Sequence, residues 1–169
     1  MKTARIAGVG SLGAGDDSVG LVVAEVLAAR GLEAARVSDA SAIVELTLDV
    51  ELLVIIDAVV GLGPPGTVAV LHEADLDLGP QPISTHTMSV PAAISFARLL
   101  YPDRSTATIR LVGVAIEAPE GVPSGMSPAV AAAVPEAVER ALSLLGDDEL
   151  DGDASTHDED EDDEDDMVA

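Results

Sequence analysis

Hydrophobic and polar positions follow each other along the chain in blocks that predict strands and helices in turn. Residues 5–9 form a short apolar run that ends in a glycine-rich loop, as expected of a first strand. Residues 18–30 then place five aliphatic side chains on one stripe at helical spacing, and Gly31 ends this predicted helix. A strand and helix in this order predict the βα unit of a parallel sheet.

The pattern continues in the same way to residue 145. Residues 52–56 are apolar without interruption, which is typical of a strand buried on both faces near the middle of a parallel sheet. A last helix opens at Ser127 and Pro128 and contains Pro135, which should kink or restart it. Further strands are predicted at residues 34–38, 67–71 and 108–114, and further helices at residues 43–48 and 89–101. The sum predicts an α/β fold, a three-layer α/β/α sandwich with a largely parallel, twisted sheet.

Composition divides the chain into two parts. Residues 1–146 contain most of the apolar positions, enough for one globular domain with a sizeable core. Residues 147–166 include 14 acidic residues and no Lys or Arg, a composition that cannot bury enough apolar surface to become ordered. We therefore expect a folded domain over residues 1–146 and a disordered, solubilising acidic tail over residues 147–169.

Charge and residue usage exclude several classes of function. The formal net charge is −23, so a polyanion such as DNA or RNA would be repelled. The chain has two aromatic residues and no cysteine, which rules out a base-stacking platform, a thiolate metal site and a cysteine nucleophile. No stretch reaches the roughly 20 uninterrupted apolar residues of a membrane span, and the first residues do not resemble a signal peptide. These observations predict a cytoplasmic protein with no nucleic-acid partner and no membrane span.

A GxGxxG motif spans Gly8 to Gly13 directly after the first strand, and Asp39 stands at the end of the second. This arrangement is that of a dinucleotide-binding loop. In such a loop the helix begins within the glycines and its N-terminus faces a phosphate, whereas here Asp16 and Asp17 intervene with charge of the wrong sign. We interpret the glycines first as a tight strand-to-helix loop and keep nucleotide binding as an alternative.

Polar residues at the predicted strand ends favour a different site. Asp16 and Asp17 follow the first strand, Asp39 follows the second, Asp57 closes the third, and His86 precedes a helix. In an open parallel sheet these positions converge on the crevice outside the carboxyl ends of the strands, where such folds bind ligands. Two carboxylates and one imidazole suit a divalent ion such as nickel or zinc, with coordination positions left open for a substrate.

These residues also have structural interpretations. Asp17 is well placed as the N-cap of the first helix, and Asp57 could cap or orient the loop that follows it. His72 and His157 are interpreted as solvated. The hypothesis of an open metal site therefore depends on several of the polar residues sharing one site.

Several segments, in their order along the chain, resemble the endopeptidases that mature the large subunit of NiFe-hydrogenases. The resemblance extends over residues 5–145 and implies the fold of that family. It is carried by Gly8-Val9-Gly10-Ser11, Gly15-Asp16-Asp17-Ser18-Val19-Gly20, Val54-Ile55-Ile56-Asp57-Ala58, Ser84-Thr85-His86, Leu111-Val112-Gly113-Val114 and Gly125-Met126-Ser127-Pro128.

The resemblance implies a peptidase of aspartic or metal-dependent type. It would remove a C-terminal peptide from the precursor of a hydrogenase large subunit, its implied partner, once nickel is installed there. The nickel is supplied by the substrate and acts as the recognition element. By this resemblance Asp17, Asp57 and His86 would contact the nickel. Together with Asp16 they would form the catalytic set, and Asp39 would lie on the substrate side.

The resemblance leaves the attack on the peptide bond open between a metal-bound water and a carboxylate-assisted water. It also leaves open whether the resting enzyme holds metal. Relatives usually have glycines after the second-strand acid, where this chain has Ala40-Ser41-Ala42, and Asn at the position of Ser11. Two alternatives stand beside the peptidase: a non-catalytic maturation factor that binds nickel or the precursor without cutting, and the nucleotide-binding module built on residues 8–13.

Overall fold

The computed structural model describes residues 3–76, 88–121 and 125–147. These residues form five strands: β1 (Ala4–Val9), β2 (Ala34–Val37), β3 (Leu52–Val60), β4 (Val68–His72) and β5 (Thr108–Ile116). They also form four α-helices: α1 (Val19–Ala29), α2 (Ile43–Leu46), α3 (Val90–Leu100) and α4 (Pro128–Asp147). Short 3-10 turns precede α1 at Gly15–Ser18 and α2 at Ala40–Ala42.

The strands form one sheet in the order β2-β1-β3-β5-β4. Strand β3 lies in the middle, as its uninterrupted apolar run predicts, and residues 52–56 are all buried. Strands β2, β1, β3 and β5 are parallel, and β4 is added antiparallel along β5. From β1 the chain proceeds to β2 on one side, whereas β3 and the later strands, β4 and β5, lie on the other side of β1. The direction in which the sheet is built therefore reverses between β1 and β3.

Alternate residues of β3 face opposite helical layers. Val54 and Ile56 belong to a core shared with α1 and α4, whereas Leu53 and Ile55 belong to a second core shared with α2 and α3. Burying a Val, Leu or Ile side chain fully contributes about 1.5–3 kcal/mol, so both layers are held mainly by the same central strand. The predicted α/β/α sandwich is confirmed.

Strands β3 and β5 both extend further than the apolar pattern predicts. Strand β3 continues through Asp57 to Val60, because residues 57–60 still pair with residues 113–116 of β5. Its pairing with β1, in contrast, ends at Gly8 opposite Ile56. The prediction that Asp57 closes the third strand is therefore wrong: Asp57 lies inside β3, at the first position beyond its pairing with β1.

Helix α4 is a single helix over 20 residues, so Pro135 does not restart it. Proline removes the amide that would donate to the carbonyl of Ala131, one turn earlier. Both residues are exposed, so water can bond the freed carbonyl on the outer side of the helix. The helix reaches Asp147, one residue beyond the predicted domain boundary at 146, and the rest of the predicted acidic tail lies outside the described residues.

No helix in the described part of the chain combines the length and the apolar character that a bilayer crossing requires.

Candidate active site

A cavity of about 370 Å³ lies at the carboxyl ends of β1 and β2 and beside β3, next to the point where the sheet reverses direction. Three of the predicted site residues, Asp17, Asp39 and Asp57, line it together. The first turn of α3 completes the wall on the other side. Ligands bind at this location in open α/β sheets, because the loops that follow two neighbouring strands diverge there.

Asp57 is the part-buried acid of the cavity. One of its carboxylate oxygens accepts a hydrogen bond from the backbone N–H of Ala58 at 2.9 Å. Burial raises the pKa of Asp57 to about 7 and outweighs the hydrogen bond from Ala58, which lowers it; the charge of Asp17 raises it further. Asp57 therefore ionises at a higher pH than an ordinary aspartate, and it lies close enough to Asp17 for the two charges to interact.

Asp17 faces the same cavity from the 3-10 turn that precedes α1. Its carboxylate accepts a hydrogen bond from the backbone N–H of Ser11 at 3.2 Å, across the loop that leaves β1. The residue at the N-cap of α1 is Ser18, and no side chain there bonds the first turn. The structural interpretation of Asp17 as a helix cap is therefore wrong, and the carboxylate is held by the β1 loop instead.

Asp16 has a different hydrogen-bond partner from its neighbour. Its carboxylate accepts a hydrogen bond from the backbone N–H of Ser127 at 2.6 Å, just before α4 begins. Asp16 and Asp17 both line a second cleft, of about 620 Å³, together with Glu117 and Glu120. Of the four predicted aspartates, the structure thus brings three into one cavity and places the fourth at the junction with α4.

Asp39 lies at the exposed rim of the cavity. Its side chain accepts a hydrogen bond from the backbone N–H of Ser41 at 2.9 Å and caps the 3-10 turn Ala40–Ala42. This hydrogen bond lowers the pKa of Asp39 below its usual value, so the carboxylate is charged at neutral pH. The substrate-side role of Asp39 stays a prediction.

His86 lies outside the described residues, which resume at Met88. The residues that follow it, Met88 to Pro91, line the cavity, and Ser89 caps α3 by accepting a hydrogen bond from the N–H of Ala92 at 3.2 Å. The chain therefore returns to the cavity two residues after His86.

Two glycines of the GxGxxG motif, Gly8 and Gly10, and Gly20 in α1 act by close packing. A Cβ at Gly20 would lie 2.1 Å from the carbonyl oxygen of Val9 and 2.4 Å from that of Ile56. A Cβ at Gly8 would lie 2.0 Å from the carbonyl oxygen of Gly20. Real Cβ atoms do not approach so closely, so these glycines allow α1 to lie directly on β1 and β3. This packing brings the turn that carries Asp17 against the strand that carries Asp57.

The donor set offered by the described residues is small. They contain no group of three or more His, Asp or Glu side chains placed to hold a metal ion. Asp17 and Asp57 contribute carboxylate oxygens, which bind divalent cations, and none of the described residues lining their cavity is Lys or Arg. The two carboxylates thus have no cationic side chain beside them.

Sequence reasoning missed several contacts that position the site. The bond from Ser127 to Asp16 joins residues 111 positions apart, and no spacing rule links them. The bond from Ser11 to Asp17 uses a backbone amide, which any residue type at position 11 except proline would provide. The glycine pattern of the sequence is consistent with the contact between Gly8 and Gly20. The same pattern fits a nucleotide-binding loop equally well, so it does not identify the contact.

Comparison with protein families gives one match. A family model described as hydrogenase maturation protease matches residues 38–144, more than half of the chain. The matched residues include Asp39, Asp57 and His86, whereas Asp16 and Asp17 precede them. Among curated proteins, none matches this sequence significantly.

Solved structures with the same fold come from bacteria and archaea. The hydrogenase maturating endopeptidase HybD from E. coli is 23% identical, with 86% of this chain and 93% of that chain covered and a TM-score of 0.67. The NiFe hydrogenase maturation protease HybD from Thermococcus kodakarensis is 25% identical, with 84% and 98% covered and a TM-score of 0.68. A hydrogenase 2 maturation peptidase from a Thaumarchaeota archaeon is 25% identical, with 86% and 99% covered and a TM-score of 0.55.

Proposed function

Since this chain belongs to the hydrogenase maturation protease family, a family of peptidases, we propose that it removes a C-terminal peptide from the precursor of a NiFe-hydrogenase large subunit. The observation that carries this proposal is the pairing of Asp17 and Asp57 in one cavity at the reversal point of the sheet. A cavity of about 370 Å³ is open enough for an extended peptide to reach both carboxylates.

In the proposed reaction, nickel belongs to the substrate. The precursor presents a nickel ion beside the bond to be cut, and Asp17 and Asp57 offer oxygen ligands to it. His86, from the segment just before α3, adds a nitrogen ligand. Burial, with the charge of Asp17, raises the pKa of Asp57 to about 7. None of the described residues lining the cavity is Lys or Arg, so this lining has no positive charge to offset the two carboxylates. A divalent ion supplies the missing charge, which makes the cavity selective for the loaded precursor.

The protein's own residues then place the peptide bond for attack by water. Holding the nickel fixes the precursor relative to the carboxylates, so the bond is oriented only when the metal is present. Water adds to the carbonyl carbon as the C–N bond breaks, and the leaving nitrogen takes up a proton. A carboxylate within reach of the water can accept its proton and pass it on. Asp39, at the rim, contacts the precursor near the entrance to the cavity.

The direct test is the intact mass of a hydrogenase large-subunit precursor, loaded with nickel or metal-free, after incubation with this protein. We expect loss of a short C-terminal peptide from the loaded precursor alone. Asp17→Asn and Asp57→Asn should each slow this cleavage at least about 100-fold, because each removes a ligand charge or a proton acceptor. Asp49→Asn is the matched control, an exposed aspartate paired with Arg104 at the opposite end of the sheet, and it should cleave like wild type.

Two results would contradict parts of the proposal. Wild-type rates in both cavity variants would remove Asp17 and Asp57 from the mechanism. A stable complex with the loaded precursor but no loss of mass would favour the alternative, a maturation factor that binds without cutting.

A further inference from the structure

Both aromatic residues of the chain line one groove on the surface, apart from the cavity with the aspartates. Phe96 and Tyr101 lie in the C-terminal part of α3 and just after it, and the groove separates them from residues 41–48. Its volume is about 510 Å³. We refer to it as the α3 groove, and its apolar lining consists of Ala42, Val44, Leu48, Met88, Phe96, Leu100 and Tyr101.

The end of α3 next to this groove exposes an unusual amount of apolar surface. The described residues expose five large hydrophobic side chains, and two of them line the groove: Leu100 at 48% and Tyr101 at 39%. Leu99 is also exposed, but it does not line the groove. Aromatic and large aliphatic side chains gathered on a surface are typical of sites that bind another protein. Among the described lining residues, Glu45 and Arg104 carry charge, and Arg104 is paired with Asp49, so the groove has few charged groups in a chain of net charge −23.

The α3 groove is continuous with the cavity that contains Asp17 and Asp57. Met88 lines both, and the 3-10 turn Ala40–Ala42 lies between them, with Ala40 on the cavity side and Ala42 on the groove side. Helix α3 begins at the cavity and ends at the groove, and its 11 residues span about 16 Å. An extended peptide covers this distance with about five residues.

We infer that the α3 groove binds an extended, apolar segment of the protein substrate, next to the part of that substrate held at Asp17 and Asp57. This inference rests on the proposed function. The apolar lining, with few charged groups among the described residues, suits a segment that is apolar and carries little charge. A second copy of this chain suits the groove less well, because each copy brings a net charge of −23.

Two neighbouring leucines allow a matched experiment. Leu100→Glu puts a charge into the groove, whereas Leu99→Glu puts the same charge on the same helix at a residue that does not line it. KM and kcat are measured with the nickel-loaded precursor, and the dissociation constant is measured with the metal-free precursor. We expect Leu100→Glu to raise both KM and the dissociation constant at least about 10-fold with kcat little changed, and Leu99→Glu to stay within about 2-fold of wild type.

The outcomes separate this inference from the proposed function. If wild-type protein binds the precursor without cutting it, the proposed function fails. The dissociation constants of the two leucine variants still show whether the α3 groove binds the precursor. Equal effects of the two leucine variants, or no binding of precursor by wild type, would overturn the inference. So would a dimer that Leu100→Glu converts to monomer at unchanged precursor affinity, since a second copy would then occupy the groove. Should Leu100→Glu fail to fold, Tyr101→Ser provides the same test.

Discussion

The amino ends and the carboxyl ends of the strands differ in how their charged groups are paired. Before β3 and β5, at the amino ends, the guanidinium of Arg104 donates to both carboxylate oxygens of Asp49 at distances of 2.5–3.1 Å. Nearby, Ser105 donates to the hydroxyl of Thr47 inside the protein at 2.9 Å, and both residues are buried. At this end, opposite charges meet and buried polar groups have partners.

At the carboxyl ends, charges of one sign meet. The acids there have backbone N–H groups as partners: Asp17 takes that of Ser11, and Asp57 takes that of Ala58. None of the described residues lining their cavity is Lys or Arg. The energetic cost is seen at Asp57, because burial raises the pKa of this carboxyl group to about 7.

The amino ends of the strands therefore contribute to the stability of the fold, whereas the carboxyl ends are the part that we propose acts on the substrate. Paired charges and satisfied hydroxyl groups favour the folded state. Unpaired carboxylates of like charge weaken it, and proteins retain such arrangements where a ligand compensates them. Removal of a carboxylate charge at the carboxyl end should therefore alter activity and raise stability, whereas changes at the amino end should lower stability alone.

The largest effect on stability is expected from Asp57→Asn, and it should depend on pH. The unfolded chain releases the proton of this acid near pH 4, whereas the folded protein keeps it until about pH 7. Folding therefore takes up a proton between these values, and wild-type stability falls as pH rises through that window. Because Asn cannot ionise, the variant should gain on wild type by up to about 4 kcal/mol between pH 4 and pH 8.

Urea unfolding of both proteins at pH 4.5, 6 and 8 measures this difference. Other carboxylates titrate alike in the two proteins, so their contributions cancel. A difference in unfolding free energy that stays constant from pH 4.5 to pH 8 would show that Asp57 has an ordinary pKa.

The next effect is smaller and is a loss of stability. It is expected from Gly20→Ala, which disturbs the packing of α1 against the carboxyl ends of the strands. The new Cβ would meet the carbonyl oxygens of Val9 and Ile56, so the helix must shift, at a cost of about 2–3 kcal/mol. The shift also moves Asp17 away from Asp57, so cleavage should fall as well. Gly146→Ala is the control, since a Cβ there meets nothing within 4 Å and should leave both quantities close to wild type. Equal melting temperatures for the two variants would contradict the packing argument.

The smallest effect is expected from Ser105→Ala at the amino end. It removes the buried hydrogen bond to Thr47, whose own hydroxyl still donates to the carbonyl of Val44 at 2.8 Å. The loss should be about 1 kcal/mol in unfolding free energy, with no change in cleavage. Ser143→Ala, on the exposed side of α4, should cost nothing measurable. A loss of cleavage in Ser105→Ala at unchanged stability would break the division between the two ends.

Most of the fold follows from local patterns in the sequence. The run at residues 52–56 identified the central strand, and Ser127 with Pro128 identified the start of α4. The length of β3 did not follow, because residues 57–60 are held by pairing with β5, a contact between distant segments. The position of Asp57 was therefore predicted at the correct edge of the sheet but in the wrong structural setting.

The candidate site was predicted in part for the same reason. Asp17 and Asp39 follow parallel strands, and Asp57 lies in a third at the position where its pairing with β1 has ended, so topology brings the three together. The direction in which Asp16 points depends on the start of α4, far along the chain. The α3 groove depends on how α2 and α3 pack on one face of the sheet, which the periodicity of neither helix specifies.

The bond between Asp16 and Ser127 has a consequence for the order of events during synthesis. It joins positions 111 residues apart, so on the ribosome the turn with Asp16 and Asp17 emerges long before its partner does. Helix α4, which follows Ser127, also covers the core face of β3 and β5, and a nascent chain without it leaves that face open. A partly made chain thus contains the turn with Asp16 and Asp17 without the contact that fixes it. We expect this turn to reach its final geometry only after Ser127 has emerged from the ribosome.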